Sequence, residues 1–247
     1  MSDRLRYITL MSSLPHIGRI FTEHGTGLSK FRLDERLKLL RPDHHKLLDR
    51  VIGVTAWAGV GQYRTDAEII ALARSVMAEL GEYPTLQALV QSRMETRTII
   101  AALRHRRDGQ ADPGDVASWG FGRWCRRIQD NWSDPGFGLS HFMPWVAEAD
   151  QHLRSGNHIA FERLVLTQAF TQIDRLAAGH DFDFEAVVIY VLRWIIVERW
   201  SLYSAAKAAE RLRQLLDEVL RTAPRPHTSV PSATIPADPA ASQEVRP

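Results

Sequence analysis

Two arginines and a glutamate stand where charge is hardest to place. Arg93 and Arg97 lie four residues apart in a run opened by Pro84 and Thr85, and at helical spacing they share a face with Val90, Met94 and Ile100. Glu198 falls in the most apolar stretch of the chain and projects between Val187, Val191 and Trp194. A carboxylate buried there costs on the order of several kcal/mol unless it is paired or protonated. Arginine is well suited to a buried bidentate pair. The expectation is therefore a structural ion pair in which Arg97, or failing that Arg93, meets Glu198 and ties two halves of the protein together. The alternative is that both arginines lay their stems along the surface and keep their heads in water. Nothing about the three resembles an acid–base dyad in a cleft.

Other reactive residue types occur without a reactive pattern. Gly59-Val60-Gly61-Gln62 has no third glycine, no Gly-Lys-Ser/Thr ending and no preceding strand, so it reads as a turn rather than a phosphate loop. His44 and His45 point to different sides of a helix, and the run from His180 to Glu185 matches no metal-ligand spacing. Asp181 or Asp183 reads instead as a helix cap. Cys125, the sole cysteine, sits among Arg123, Arg126 and Arg127, which would depress its pKa, but it carries no nucleophile signature and reads as a partly buried structural thiol. No catalytic residue, cofactor-binding residue, cofactor or metal ligand is expected, and the chain does not read as an enzyme.

Two basic clusters, Arg104 to Arg107 and Arg123 to Arg127, lie near Trp119 and Trp124. The first is explained as a helix end complementing the dipole. A formal net charge of only +2 argues against a nucleic-acid footprint. Anionic lipid headgroups or an acidic protein surface suit the clusters better.

The elements that position these residues read as helical throughout. Ser29 caps a helix carrying Phe31, Leu33, Leu37 and Leu40, and Pro42 opens the next. Thr65 opens a helix that Gly81 closes, and the helix from Pro84 stops in Arg104 to Arg107 before Asp108 and Gly109. Residues 110–115 form a turn-rich break. A short helix within 116–132, a turn at Asp134 to Gly138 and a helix from Trp145 to Leu153 follow. The next helix bears the stripe Ile159, Leu166, Phe170 and Ile173. The stretch from Phe182 to Leu202 is apolar nearly all round, which marks a core helix or a membrane span; four charged residues, Glu185, Arg193, Glu198 and Arg199, decide for the core. Tyr7 to Met11 is open between strand and helix. The expected fold is an all-α bundle of roughly 8–9 helices with a buried central C-terminal helix and room for one short N-terminal strand. Its domains are a helical body over 1–222, divisible into 1–110 and 116–222, and a disordered Pro/Ala/Ser-rich tail over 223–247, which holds six of the twelve prolines. A lone cysteine and an N-terminus without a signal-peptide core read as cytoplasmic.

Four stretches together resemble a known family. They are the opening Tyr7-Ile8-Thr9-Leu10-Met11-Ser12-Ser13-Leu14-Pro15, the helix Arg97-Thr98-Ile99-Ile100-Ala101-Ala102-Leu103-Arg104, the loop Phe137-Gly138-Leu139 with Pro144-Trp145, and the last core helix closing on Val197-Glu198-Arg199-Trp200. The family is an uncharacterised bacterial one encoded with V-type (A/V-type) ATPase subunits and similar in role to the C or d subunit. The resemblance spans residues 5–220. It implies a non-catalytic coupling or assembly subunit of a V-type ion-translocating ATPase, peripheral on the cytoplasmic face of the cell membrane, with central-stalk and membrane-ring subunits as partners. The alternative is a free-standing helical adaptor that binds an acidic protein or an anionic lipid surface.

Overall fold

A computed structural model describes residues 3–21, 26–56 and 65–222, with side chains from Arg4 to Tyr203 in those ranges and at Arg213. The described residues form ten helices and no strand. These are α1 (Asp3–Ser13), α2 (Lys30–Leu37), α3 (Pro42–Thr55), α4 (Asp66–Glu79), α5 (Pro84–Arg107), α6 (Val116–Trp119), α7 (Cys125–Asp130), α8 (Trp145–Arg154), α9 (His158–Leu176) and α10 (Phe184–Thr222). Two short helices, α6 and α7, stand where the sequence pattern gave one. The turn read at Gly59 to Gln62 and the tail over 223–247 lie outside the described residues.

Tyr7 to Met11 is helix, not strand, because Asp3 to Arg6 extend the segment and reveal its period. Tyr7 and Leu10 are buried on one face. The hydroxyl of Thr9 donates to the Leu5 carbonyl, so this residue satisfies its polar group within the helix. The other starts follow capping chemistry. Ser29, Thr65, Asn157 and Asp183 each accept a backbone N–H from the first turn of α2, α4, α9 and α10. At the end of α5, Gly109 takes φ +90°, and the Gln110 N–H closes back on the His105 carbonyl.

The chain divides into two compact units, Met1–Ser204 and Ala205–Pro247. Within the first, apolar side chains gather in two cores. One joins α1 to α4 and the first half of α5 with Leu166 to Ile173 of α9 and Phe184 to Val197 of α10. The other joins Ile99 to Leu103 of α5 with Val116, Ile128, Phe137, α8 and Phe161 and Val165 of α9. The cores are thus divided along α5 and α9, which run through both, and not at the turn-rich break over 110–115. At about 1.5 Å per residue α5 is roughly 36 Å long and can serve both.

The central helix is buried as its composition requires: Val187 and Val188 are fully enclosed and Val191, Leu192 and Trp194 nearly so. Its polar tips fasten the N-terminal loop. The Tyr190 hydroxyl donates to the Pro15 carbonyl at 3.0 Å and the Trp194 indole to the Leu28 carbonyl at 2.9 Å. Burial pushes the Tyr190 phenol up to about 12. No helix among the described residues is long and apolar enough to cross a membrane.

Candidate functional site

The expected tie between Arg93 or Arg97 and Glu198 is not formed. Arg97 meets Asp66, at the start of α4, at 3.3 Å, and Arg93 donates to the Thr55 carbonyl, at the end of α3, at 3.1 Å. Glu198 is only partly buried and has no ion-pair partner among the described residues. The reason is local: α3 and α4 lie alongside α5, so groups at their ends reach the arginines first. A wheel locates a face but not its neighbour.

What Arg93 and Arg97 do instead is line a cavity of about 440 Å³ with Thr55, Ile100, Arg104 and His105. That size is in the range of ligand sites. Arg93 is half-buried, and burial pushes its guanidinium down to about 10. Arg104 is held below the usual arginine value, first by burial and then by Arg107, Arg97 and Arg199, with Asp108 opposing. Its side chain makes no hydrogen bond or ion pair among the described residues. His105 packs its ring against Trp119, and its Nδ1 is buried without a hydrogen-bond partner among the described residues. Arg104 and Ile100 also line a second cavity of about 180 Å³, with Arg107, His158, Phe161 and Arg199. Asp66, Asp108 and Glu162 are the acidic groups on the two walls, and each already holds one arginine, Arg97, Arg107 and Arg199 in turn. An anion entering here would meet guanidinium groups preorganised by the fold.

Other candidate groups are absorbed by structure. The two ring nitrogens of His44 face the Tyr7 and Tyr83 hydroxyls, and its ring lies 4.4 Å from Phe184. His45 turns outward to Asp49. His180 Nδ1 lies 2.8 Å from an Asp183 oxygen and 3.3 Å from a Glu185 oxygen, and these three residues could ligate a cation. Yet Asp183 caps α10 with its other oxygen, and His180 Nε2 sits 3.0 Å from the Thr85 hydroxyl. The trio pins the helix start, and Glu185 Oε1 is buried without a hydrogen-bond partner among the described residues. Burial, reinforced by Glu95 and Asp115, pushes the Cys125 thiol up, opposite to the shift expected from the neighbouring arginines and to what a nucleophile needs.

Two buried charges were missed in the sequence. Glu95 accepts from Gln91 at 2.9 Å and from the Trp124 indole at 3.1 Å, which fixes the loop from Phe121 to Trp124. Asp150 is met by Arg106 and Arg154, both at 2.7 Å. The signal was present: Asp150 shares its helix face with Val146 and Leu153, the same anomaly that drew attention to Glu198. No family model, curated protein or solved structure matches the chain.

Proposed function

We propose that the protein is a non-catalytic helical adaptor that binds an acidic partner protein in the arginine-lined cleft. Arg104 carries this reading. It faces both cavities, lies among other arginines, and is left without a carboxylate among the described residues. The concave shape favours inserted carboxylate side chains over a flat lipid surface. The direct test is anisotropy with labelled poly-glutamate at low salt. Wild type should bind, and Arg104→Glu should lose about tenfold in affinity, the order expected of one charge-assisted contact. Equal binding by both proteins overturns the reading. Cosedimentation with phosphatidylglycerol vesicles, without poly-glutamate binding, replaces it with a lipid one.

The family resemblance supplies a narrower form of the same proposal. The partner is then a central-stalk or membrane-ring subunit of a V-type ion-translocating ATPase, and the adaptor couples or assembles the two. Its support is the four sequence stretches, not the cleft. Affinity purification in mild detergent should bring down the catalytic and ring subunits; a clean monomer sinks the narrower form and leaves the broader one standing.

A further inference from the structure

The start of the central helix gathers three side chains of metal-ligating type, and it shares no residue with the arginine cleft. His180 ends the turn between α9 and α10, where its backbone N–H bonds back to the Ala177 carbonyl at 3.1 Å. Asp183 caps α10, and Glu185 stands in the first turn. His180 Nδ1 lies 2.8 Å from Asp183 Oδ2 and 3.3 Å from Glu185 Oε2, and all three groups offer a ligand atom within 4.8 Å of the others. Two donor atoms on one metal at about 2.1 Å stand roughly 3.0 Å apart in an octahedral shell and roughly 3.4 Å apart in a tetrahedral one. The two separations from Nδ1 are close to those edges.

Two carboxylates this close call for positive charge. The α10 dipole offers only about half an elementary charge at its N-terminus, and no arginine or lysine pairs with either group among the described residues. Asp183 completes the cap with Oδ1, which accepts the Ala186 N–H, and leaves Oδ2 to His180. Glu185 Oε1 has no comparable use, since it is buried with no hydrogen-bond partner among the described residues. A protonated His180 supplies one charge and does not reach that oxygen; a divalent cation supplies two and reaches it through a bidentate Glu185. Behind the ring, His180 Nε2 sits 3.0 Å from the Thr85 hydroxyl, at the start of α5. Metal-bound histidines are held in this way, with the far ring nitrogen bonded to an oxygen that fixes tautomer and ring plane.

We infer that His180, Asp183 and Glu185 form a site for one first-row divalent cation, with zinc as its representative. One imidazole with two carboxylates suits zinc, whereas magnesium favours shells made of oxygen alone. The ion takes the place of the proton on His180 Nδ1, which leaves to solvent, and Nε2–H then donates to Thr85. Asp183 is half-exposed, so water fills the remaining positions of the shell. Bound there, the ion ties the α9–α10 turn, the first turn of α10 and, through Thr85, the start of α5. The sequence pattern conceals the site because His180 precedes the helix, and the turn, not a helical period, brings it over Asp183 and Glu185.

The test is zinc binding to the full chain after treatment with EDTA, read by isothermal titration and by thermal unfolding with and without zinc chloride. The wild type should take up a single zinc with micromolar affinity or better and should melt higher in its presence. His180→Gln should abolish both effects. Asp183→Asn keeps a good capping residue, so without zinc it should melt as the wild type does, while its zinc affinity falls about tenfold or more. Thr85→Val should weaken binding about tenfold, the range for a partner behind the ligand. His152→Gln removes the pair with Glu148 on α8 and should bind zinc as the wild type does. The absence of saturable zinc binding overturns the inference. So does binding that His180→Gln and Asp183→Asn leave unchanged, which marks an adventitious ion only. If circular dichroism shows His180→Gln to be misfolded, Asp183→Asn decides between the two outcomes.

Discussion

Arg104 and Arg106 stand two residues apart on α5, face different sides of it, and have opposite surroundings. Arg106 is enclosed in the second core. Its two Nη groups donate to the Trp132, Asp134 and Pro135 carbonyls and to Asp150, and its guanidinium lies 4.1 Å above the Phe137 ring. Arg104 has other arginines for neighbours and no bonded partner among the described residues. The fold engages both Nη groups of Arg106, leaving its buried Nε without a hydrogen-bond partner among the described residues, whereas Arg104 is exposed. A charge held by several groups of its own chain serves as a lock, and an exposed one at the mouth of a cavity remains open to solvent or to an incoming anion.

The sharpest break of that comparison is to remove the lock. Arg106→Met keeps the stem but strands Asp150 in the core with only Arg154, and Phe137, fully buried at φ +52°, loses the cation that covers it. Breaking a buried pair from one side costs about 3–5 kcal/mol. Urea unfolding should show a loss of that order. A loss under about 1 kcal/mol would reduce the Arg106 network to a surface-like salt bridge.

Glu95 extends the comparison to an acid. If completed buried charges are locks whatever their sign, Glu95→Ala should cost about 1–3 kcal/mol by orphaning the Trp124 indole. Gly122→Ala should cost as much from the other side, since Gly122 holds φ +91° and a Cβ there would overlap the Glu95 side chain. Cys125 reports the charge itself. Burial raises its thiol and the Glu95 carboxylate raises it further, so the thiolate forms only above the ordinary thiol value of 9.0. Removing the negative charge favours thiolate, so Glu95→Gln should move the pH profile of a thiol-reagent reaction to lower pH. An unmoved profile would show that Glu95 carries no charge felt at Cys125.

Helix positions were legible because they depend on neighbours in sequence. Ser29, Thr65 and Asp183 cap the helices they were expected to cap, and the stretch around Val187 and Val191 is buried because no polar face exists to turn outward. The arginine cleft was half legible. Arg93 and Arg97 stood out as charges on an apolar face, but their partner was sought in another apolar helix, at Glu198. The actual partners are ends of adjacent helices, Thr55 and Asp66, and nothing in a face pattern says which helix end lies alongside. Arg104 was hidden for the opposite reason. Its place in a basic last turn already had an adequate explanation in the helix dipole, and its exposure to two cavities exists only once α3, α8, α9 and α10 are assembled.

Arg104→Gln is the smallest change and bears most directly on what the comparison means. A polar substitution at an exposed site such as Arg104, away from a packing or hydrogen-bond network, shifts stability by no more than about 0.5 kcal/mol. Here the glutamine also relieves repulsion from Arg97, Arg107 and Arg199, so the shift should be zero or slightly stabilising. The relief should be greatest at low ionic strength and fade as salt screens the surface charges. Urea unfolding at two salt concentrations reads both quantities. A clear destabilisation would mean that Arg104 holds the fold together as Arg106 does. A neutral or stabilising result beside a large loss in Arg106→Met would mean that the core depends on Arg106 and not on Arg104, although the two stand only two residues apart on one helix.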